Sequence, residues 1–159
     1  MSEETEERNM PRGDDSEVQH RAVIVVGVDG SPASSDALRW AADEARLRGA
    51  ILRVVYGWML PTMIYPAYGP AGMYEEMPAE AEGRTRTQVE QVLGDHHDLQ
   101  VELEVHEGRG AEVVLDAAKG ADMVVVGSRG RGGFSGLLLG SVSSQVAHHA
   151  ACPVVIVRA

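Results

Sequence analysis

Three stretches of this chain are near-solid blocks of aliphatic residues: Ala22-Val23-Ile24-Val25-Val26-Gly27-Val28, Met123-Val124-Val125-Val126 and Val154-Val155-Ile156-Val157. A strand with one wet face alternates apolar and polar residues, whereas a strand covered on both faces has no polar side to show. Between the blocks lie segments with helical spacing. After the first block, Ser31 is a suitable N-cap and Pro32 suits the first helical position; Ala37, Leu38, Ala41, Ala42 and Ala45 follow at three- and four-residue steps, up to a stop at Gly49. Ile51–Tyr56 is a second strand, Glu80–Leu93 a helix, Gln100–His106 an alternating strand, Ala111–Lys119 a short helix and Ser141–His149 a last helix. Strands that alternate with helices in this way predict one α/β domain, a five-stranded parallel sheet with helices on both faces. Ligands of such sheets bind beyond the carboxyl ends of the strands. That places Asp29, Gly57 and Gly127, each directly after a strand, at the edge where a site is expected.

Charge narrows the partners. The 159 residues carry 14 basic and 24 acidic side chains, a formal net charge of −10. Glu3, Glu4, Glu6, Glu7, Asp14, Asp15 and Glu17 crowd the first twenty residues, which have no apolar periodicity. Residues 1–20 therefore read as an acidic disordered tail and 21–159 as the domain. An acidic body without a basic stripe argues against nucleic acid or an anionic membrane as partner. No apolar run approaches the roughly 18–20 residues that span a bilayer, and the amino terminus has no signal-like apolar core. Cys152 is the single cysteine and Lys119 the single lysine. The expectation is a cytoplasmic protein without disulfides.

The chemistry concentrates after the fourth strand. Gly127, Gly130, Gly132, Gly133, Gly136 and Gly140 punctuate a loop that ends at Ser141, where a helix begins. Glycine-rich backbone exposes N–H groups without a Cβ to screen them, and an N-terminal helix end attracts anions through unpaired N–H groups and the helix dipole. Arg129 and Arg131 add positive charge, and Ser141 reads as the cap of the last helix. A P-loop would need Gly-Lys-Ser/Thr, but Gly140-Ser141 has no lysine; the first turn, Gly27-Val28-Asp29-Gly30-Ser31-Pro32, lacks the Gly-x-Gly-x-x-Gly dinucleotide fingerprint.

The spacing Gly127-x2-Gly130-x9-Gly140-Ser141 resembles the ATP-binding signature of the universal stress protein family. Val25-Val26-Gly27-Val28-Asp29-Gly30-Ser31 is similar to that family's first strand and Asp turn, and Ala151-Cys152-Pro153-Val154-Val155-Ile156-Val157 to its closing strand. The resemblance covers about residues 20–159. It implies a Rossmann-like sheet of strand order 3-2-1-4-5, a homodimer joined through the last strand (Val154–Val157) and one ATP per subunit with Mg²⁺. Carried over by position, Val28 and Asp29 join the binding set, with Asp29 facing the ribose or a phosphate-bound Mg²⁺. Gly57 would border adenine; Gly127, Arg129 and Gly130 would meet ribose and phosphates; Gly140, Ser141, Val142 and Ser143 would hold the triphosphate.

The function expected from this is a nucleotide-dependent regulator of a stress response, with slow or no hydrolysis, no assigned catalytic residue and no metal apart from Mg²⁺ on the phosphates. Two other classes stay open. One is an ATPase or autokinase that uses Ser141 or Ser143. The other is a dimeric scaffold independent of nucleotide, in which the Met-, Pro- and Tyr-rich loop from Gly57 to Met77 binds a regulatory protein. Trp58, Tyr65, Tyr68 and Tyr74 read as packing for that loop rather than a lid. Adjacent His148 and His149 lack the i,i+4 spacing of a helical metal pair, and Cys152 reads as a small apolar group.

Overall fold

The computed structural model describes residues 21–59, 73–132, 136 and 138–158. The acidic tail, Tyr65 and Tyr68 and part of the glycine loop lie outside the described residues, as does the side chain of Tyr74. In chain order the elements are β1 (Val23–Gly27), α1 (Pro32–Arg48), β2 (Ile51–Trp58), α2 (Met73–Leu93), β3 (Val101–Glu107), α3 (Gly110–Ala117), β4 (Met123–Gly127), α4 (Ser141–His149) and β5 (Val154–Val157). The strands form one sheet of order β3-β2-β1-β4-β5, parallel throughout. The fold expected from the sequence is the fold observed.

The solid blocks have the cause inferred for them. Ile24 and Val26 of β1 pack with α1 on one face, in a cluster that includes Leu38, Ala41, Leu52 and Val54. Val25 points to the other face and packs with Val113 and Val114 of α3 and Val146 of α4. Because both faces are dry, Ile24, Val25 and Val26 are all fully buried. The edge strand β3 differs. Its Glu102 and Glu104 flank Arg53 of β2 at 3.1 and 3.0 Å, so one face of this edge is polar and ion-paired.

Two boundaries depart from the sequence reading. β2 continues through Gly57 to Trp58, because both pair with β3 (His106 and Glu107). α2 begins at Met73, ahead of the expected Glu80, and accommodates Pro78 inside it. Local propensity argued against a helix on both sides of a proline, and the longer helix overrides it.

The chain leaves β1 towards β2 and β3, then returns to lay β4 on the other side of β1. This reversal opens a crevice between the carboxyl ends of β1 and β4. The first turns of α1 and α4 border it.

Candidate functional site

A cavity of about 400 Å³ occupies that crevice. All ten residues singled out from the sequence line it: Val28 and Asp29 after β1; Gly57 in β2; Gly127 at the end of β4, with Arg129 and Gly130 after it; and Gly140, Ser141, Val142 and Ser143 at the start of α4. Tyr56, Gly110, Val114 and Val126 complete a partly apolar wall. Its size falls within the range of small-molecule sites, about 300–1,000 Å³.

The amino end of α4 is the main polar feature. The N-cap is Gly140, not Ser141 as the sequence suggested, and glycine has no side chain with which to cap. Ser144 N–H makes the first helical bond, to Gly140 O at 3.0 Å. The N–H groups of Ser141, Val142 and Ser143 thus lie in the first turn, where a helix offers them no acceptor. Two hydrogen bonds hold this end in place: Gly140 N–H donates to Ser128 O at 2.7 Å, and Ser143 Oγ donates to the same oxygen at 2.8 Å. Ser143 Oγ also lies 3.1 Å from Gly140 O. Its hydroxyl is therefore buried and committed to the loop, so what Ser143 offers a ligand is its backbone N–H. The Ser141 hydroxyl differs: the residue is exposed at the first helical position.

Asp29 lines the same cavity. Its Oδ1 accepts from Ser31 N–H at 2.9 Å and its Oδ2 from Arg131 N–H at 3.2 Å. Burial, the largest influence, pushes its pKa up, but interactions with Ser31, Ser34 and the Arg131 N–H together hold it below the ordinary value. The side chain is an ionised carboxylate. Such a group repels bare phosphate and suits sugar hydroxyls or a cation carried by phosphate. Among the described residues no group of three or more His, Cys, Asp or Glu could hold a metal by itself, so a cation here needs oxygens from the ligand.

The glycines serve more than one purpose. A Cβ on Gly127 would lie 2.7 Å from the backbone carbon and oxygen of Ala33, so this glycine is required for α1 to pack against β4. A Cβ on Gly57 would meet the backbone of Gly108 and Gly110 at 3.0–3.2 Å, for the same reason at α3. On Gly130 it would lie 2.6 Å from Asp29 Oδ2, inside the cavity wall itself. The sequence reading assigned all of these to ligand approach; at Gly127 and Gly57 helix packing takes the space.

Some participants were not legible. Ser34 Oγ accepts from Asp29 N–H at 3.3 Å and from Gln88 Nε2 of α2 at 3.0 Å, which ties the Asp29 turn to a helix 54 residues away in sequence. Nothing local marks Gln88 for this contact. Gly110 and Val114 could have been found, since α3 also starts at the carboxyl edge of the sheet. A second groove of about 560 Å³ adjoins the cavity, lined by the polar side of α2, and Asp29, Tyr56 and Arg131 belong to both walls. Cys152 is half-buried against the α3 and α4 cluster, and burial, then Asp122, push its thiol pKa up. That is the inert character expected of it. Among the described residues no helix is long and apolar enough to cross a membrane.

Sequence and structure comparisons agree with one another. The model of the universal stress protein family matches residues 20–158. A universal stress protein of Mycolicibacterium smegmatis is 43% identical over 150 residues, covering 92% of this chain and 49% of that protein. The chain spans about half the length of the curated relatives it matches. Among solved structures, UspA of Lactobacillus plantarum superposes with a TM-score of 0.68 at 24% identity, covering 86% of this chain and 97% of that one. A universal stress protein in complex with cAMP gives a TM-score of 0.56 at 27% identity, covering 86% and 95%.

Proposed function

The chain belongs to the universal stress protein family, and from that premise we propose that it is a cytoplasmic, ATP-binding regulator of a stress response that turns nucleotide over slowly or not at all. The observation that carries this is the amino end of α4, left without a side-chain cap at Gly140 and aimed into a 400 Å³ cavity. Unpaired N–H groups and the helix dipole favour phosphate there. The wall at Tyr56, Gly57, Val114 and Val126 suits a flat apolar base. Asp29 takes the ribose hydroxyls or a Mg²⁺ held by the phosphates. The cAMP complex of a related protein supports an adenine nucleotide as the ligand class.

Slow turnover follows from the available groups. Asp29 is the carboxylate on the cavity wall, and its lowered pKa makes it a weak proton acceptor. Lys119, the one lysine, is absent from the wall. Magnesium, when bound, would neutralise phosphate charge; the protein's part is to bind and orient the chain through the amides of Ser141, Val142 and Ser143.

Calorimetry on protein stripped of bound nucleotide tests the proposal, with micromolar or tighter ATP binding expected and no heat with any adenine nucleotide overturning it. Ser141→Glu sharpens the test. A carboxylate in the first turn suits the helix dipole, by about 0.3–1 kcal/mol, yet repels phosphate. The variant should melt no lower than the wild type and bind ATP at least about tenfold more weakly; unchanged affinity would place the phosphates elsewhere.

One observation favours a second reading. The exposed Ser141 hydroxyl, unlike that of Ser143, is available to accept a phosphoryl group. Peptide-level mass spectrometry after incubation with ATP would reveal phosphoserine at 141 if the protein is an autokinase.

A further inference from the structure

We propose that Arg131 reads the length of the phosphate chain, engaging a di- or triphosphate and ignoring a monophosphate. The proposal rests on the nucleotide reading above and adds a selectivity to the same site. Arg131 is anchored at the cavity mouth by its own N–H, which donates to Asp29 Oδ2 at 3.2 Å. Its guanidinium lies across Gly30: a Cβ built there would collide with Nη2 and come within 3.1 Å of Cζ and 3.4 Å of Nε. The resting place exists because residue 30 has no side chain, and the φ of +78° at Gly30 is one that side-chain-bearing residues rarely adopt.

The guanidinium is also uncommitted. Arg39, Arg46, Arg48, Arg53, Arg84, Arg86 and Arg109 each have a carboxylate within 4.0 Å, while Arg131, like Arg21, Arg129 and Arg158, has none among the described residues. Arg131 lines both the cavity and the groove beside α2, so its side chain stands at the boundary of the two spaces. Gly130 and Gly132 flank it and leave its backbone neighbours free of side-chain hindrance.

Charge supplies the selectivity. The amide groups of α4 act within the first helical turn, because the dipole's influence fades beyond it. The phosphate nearest the helix end takes the larger share of them. Each further phosphoryl group adds negative charge outside their reach, where Arg131 is a guanidinium with a rigid fork of donors that matches phosphate oxygens. Leaving Gly30 forfeits no ion pair with any described residue.

The test is titration of AMP and ATP into the wild type, Arg131→Gln, Arg131→Lys and Arg129→Gln by calorimetry. Arg131→Gln is expected to weaken ATP about tenfold or more and AMP by less than about twofold, with Arg131→Lys recovering part of the loss. Equal losses for the two ligands, a loss for neither, or collapse of the ratio in Arg129→Gln alone would overturn the proposal while leaving the nucleotide site intact. A wild type that binds neither ligand would overturn both readings together.

Discussion

Asp29 shows how one side chain can serve both fold and site. Its carboxylate closes a turn onto Ser31 N–H and receives Arg131 N–H from the far side of the crevice, so the charged form is the one the fold prefers. The pKa is therefore lowered, and the linked stability has a definite sign. It is fully present above the ordinary carboxylate value of 3.8 and lost as pH falls through the lower folded value. Asp29→Asn should consequently be less stable than the wild type at neutral pH, with a gap that narrows below about pH 3.8; denaturation midpoints followed across pH 2–7 measure it. A gap independent of pH would mean the carboxylate's charge is not what the turn uses. At this scale much of the site was visible in advance, because glycines and an aspartate at a strand end have few local reasons to be there. The reasons for particular residues were less visible. Gly127 reads as phosphate contact until Ala33 is seen 2.7 Å from its missing Cβ, and Ser143 as a phosphate ligand or nucleophile until its hydroxyl is found on Ser128 O.

At the scale of elements, α4 is the piece whose placement makes the cavity polar. Its start is fixed by two bonds to one carbonyl, from Gly140 N–H and Ser143 Oγ to Ser128 O. Ser143→Ala removes the second while Ser128 O keeps its other partner, so the loss should be that of one ordinary hydrogen bond, about 0.5–1.5 kcal/mol in urea denaturation. Faster hydrogen exchange should be confined to the first turn of α4. A loss of several kcal/mol would show that the hydroxyl holds more than this turn. Helix and strand types were legible because each carried its own period or a solid apolar block. The ends were not. β2 gains Gly57 and Trp58 only because β3 is there to pair with them, and α2 runs through Pro78 where propensity argues for a break.

At the scale of the whole molecule, the sheet has two edges of unlike character. β3 carries acidic side chains, two of them paired with Arg53, whereas β5 is Val154-Val155-Ile156-Val157, each half-buried. Val124 N–H donates to Pro153 O and Ser128 N–H to Val157 O. By strand alternation the N–H and C=O of Val154 and Ile156 then point away from β4, towards the open edge. We propose that a second copy pairs there and forms a two-fold homodimer. Ile156→Pro removes one outward N–H and no bond to β4, so it should sediment as a monomer while keeping the far-UV circular dichroism of the wild type; an unchanged dimer would move the interface elsewhere. What the amino-acid order determined alone was the parallel α/β class, the carboxyl-edge location of the candidate site and the glycine-rich backbone that lines it, because periodicity, apolar blocks and glycine spacing are local properties. What only the tertiary structure decided was which groups face the cavity and which hold it in shape. Those roles depend on contacts such as Gln88 to Ser34, Arg131 to Gly30 and Ala33 to Gly127, between segments that sequence distance keeps apart and packing brings within a few ångströms.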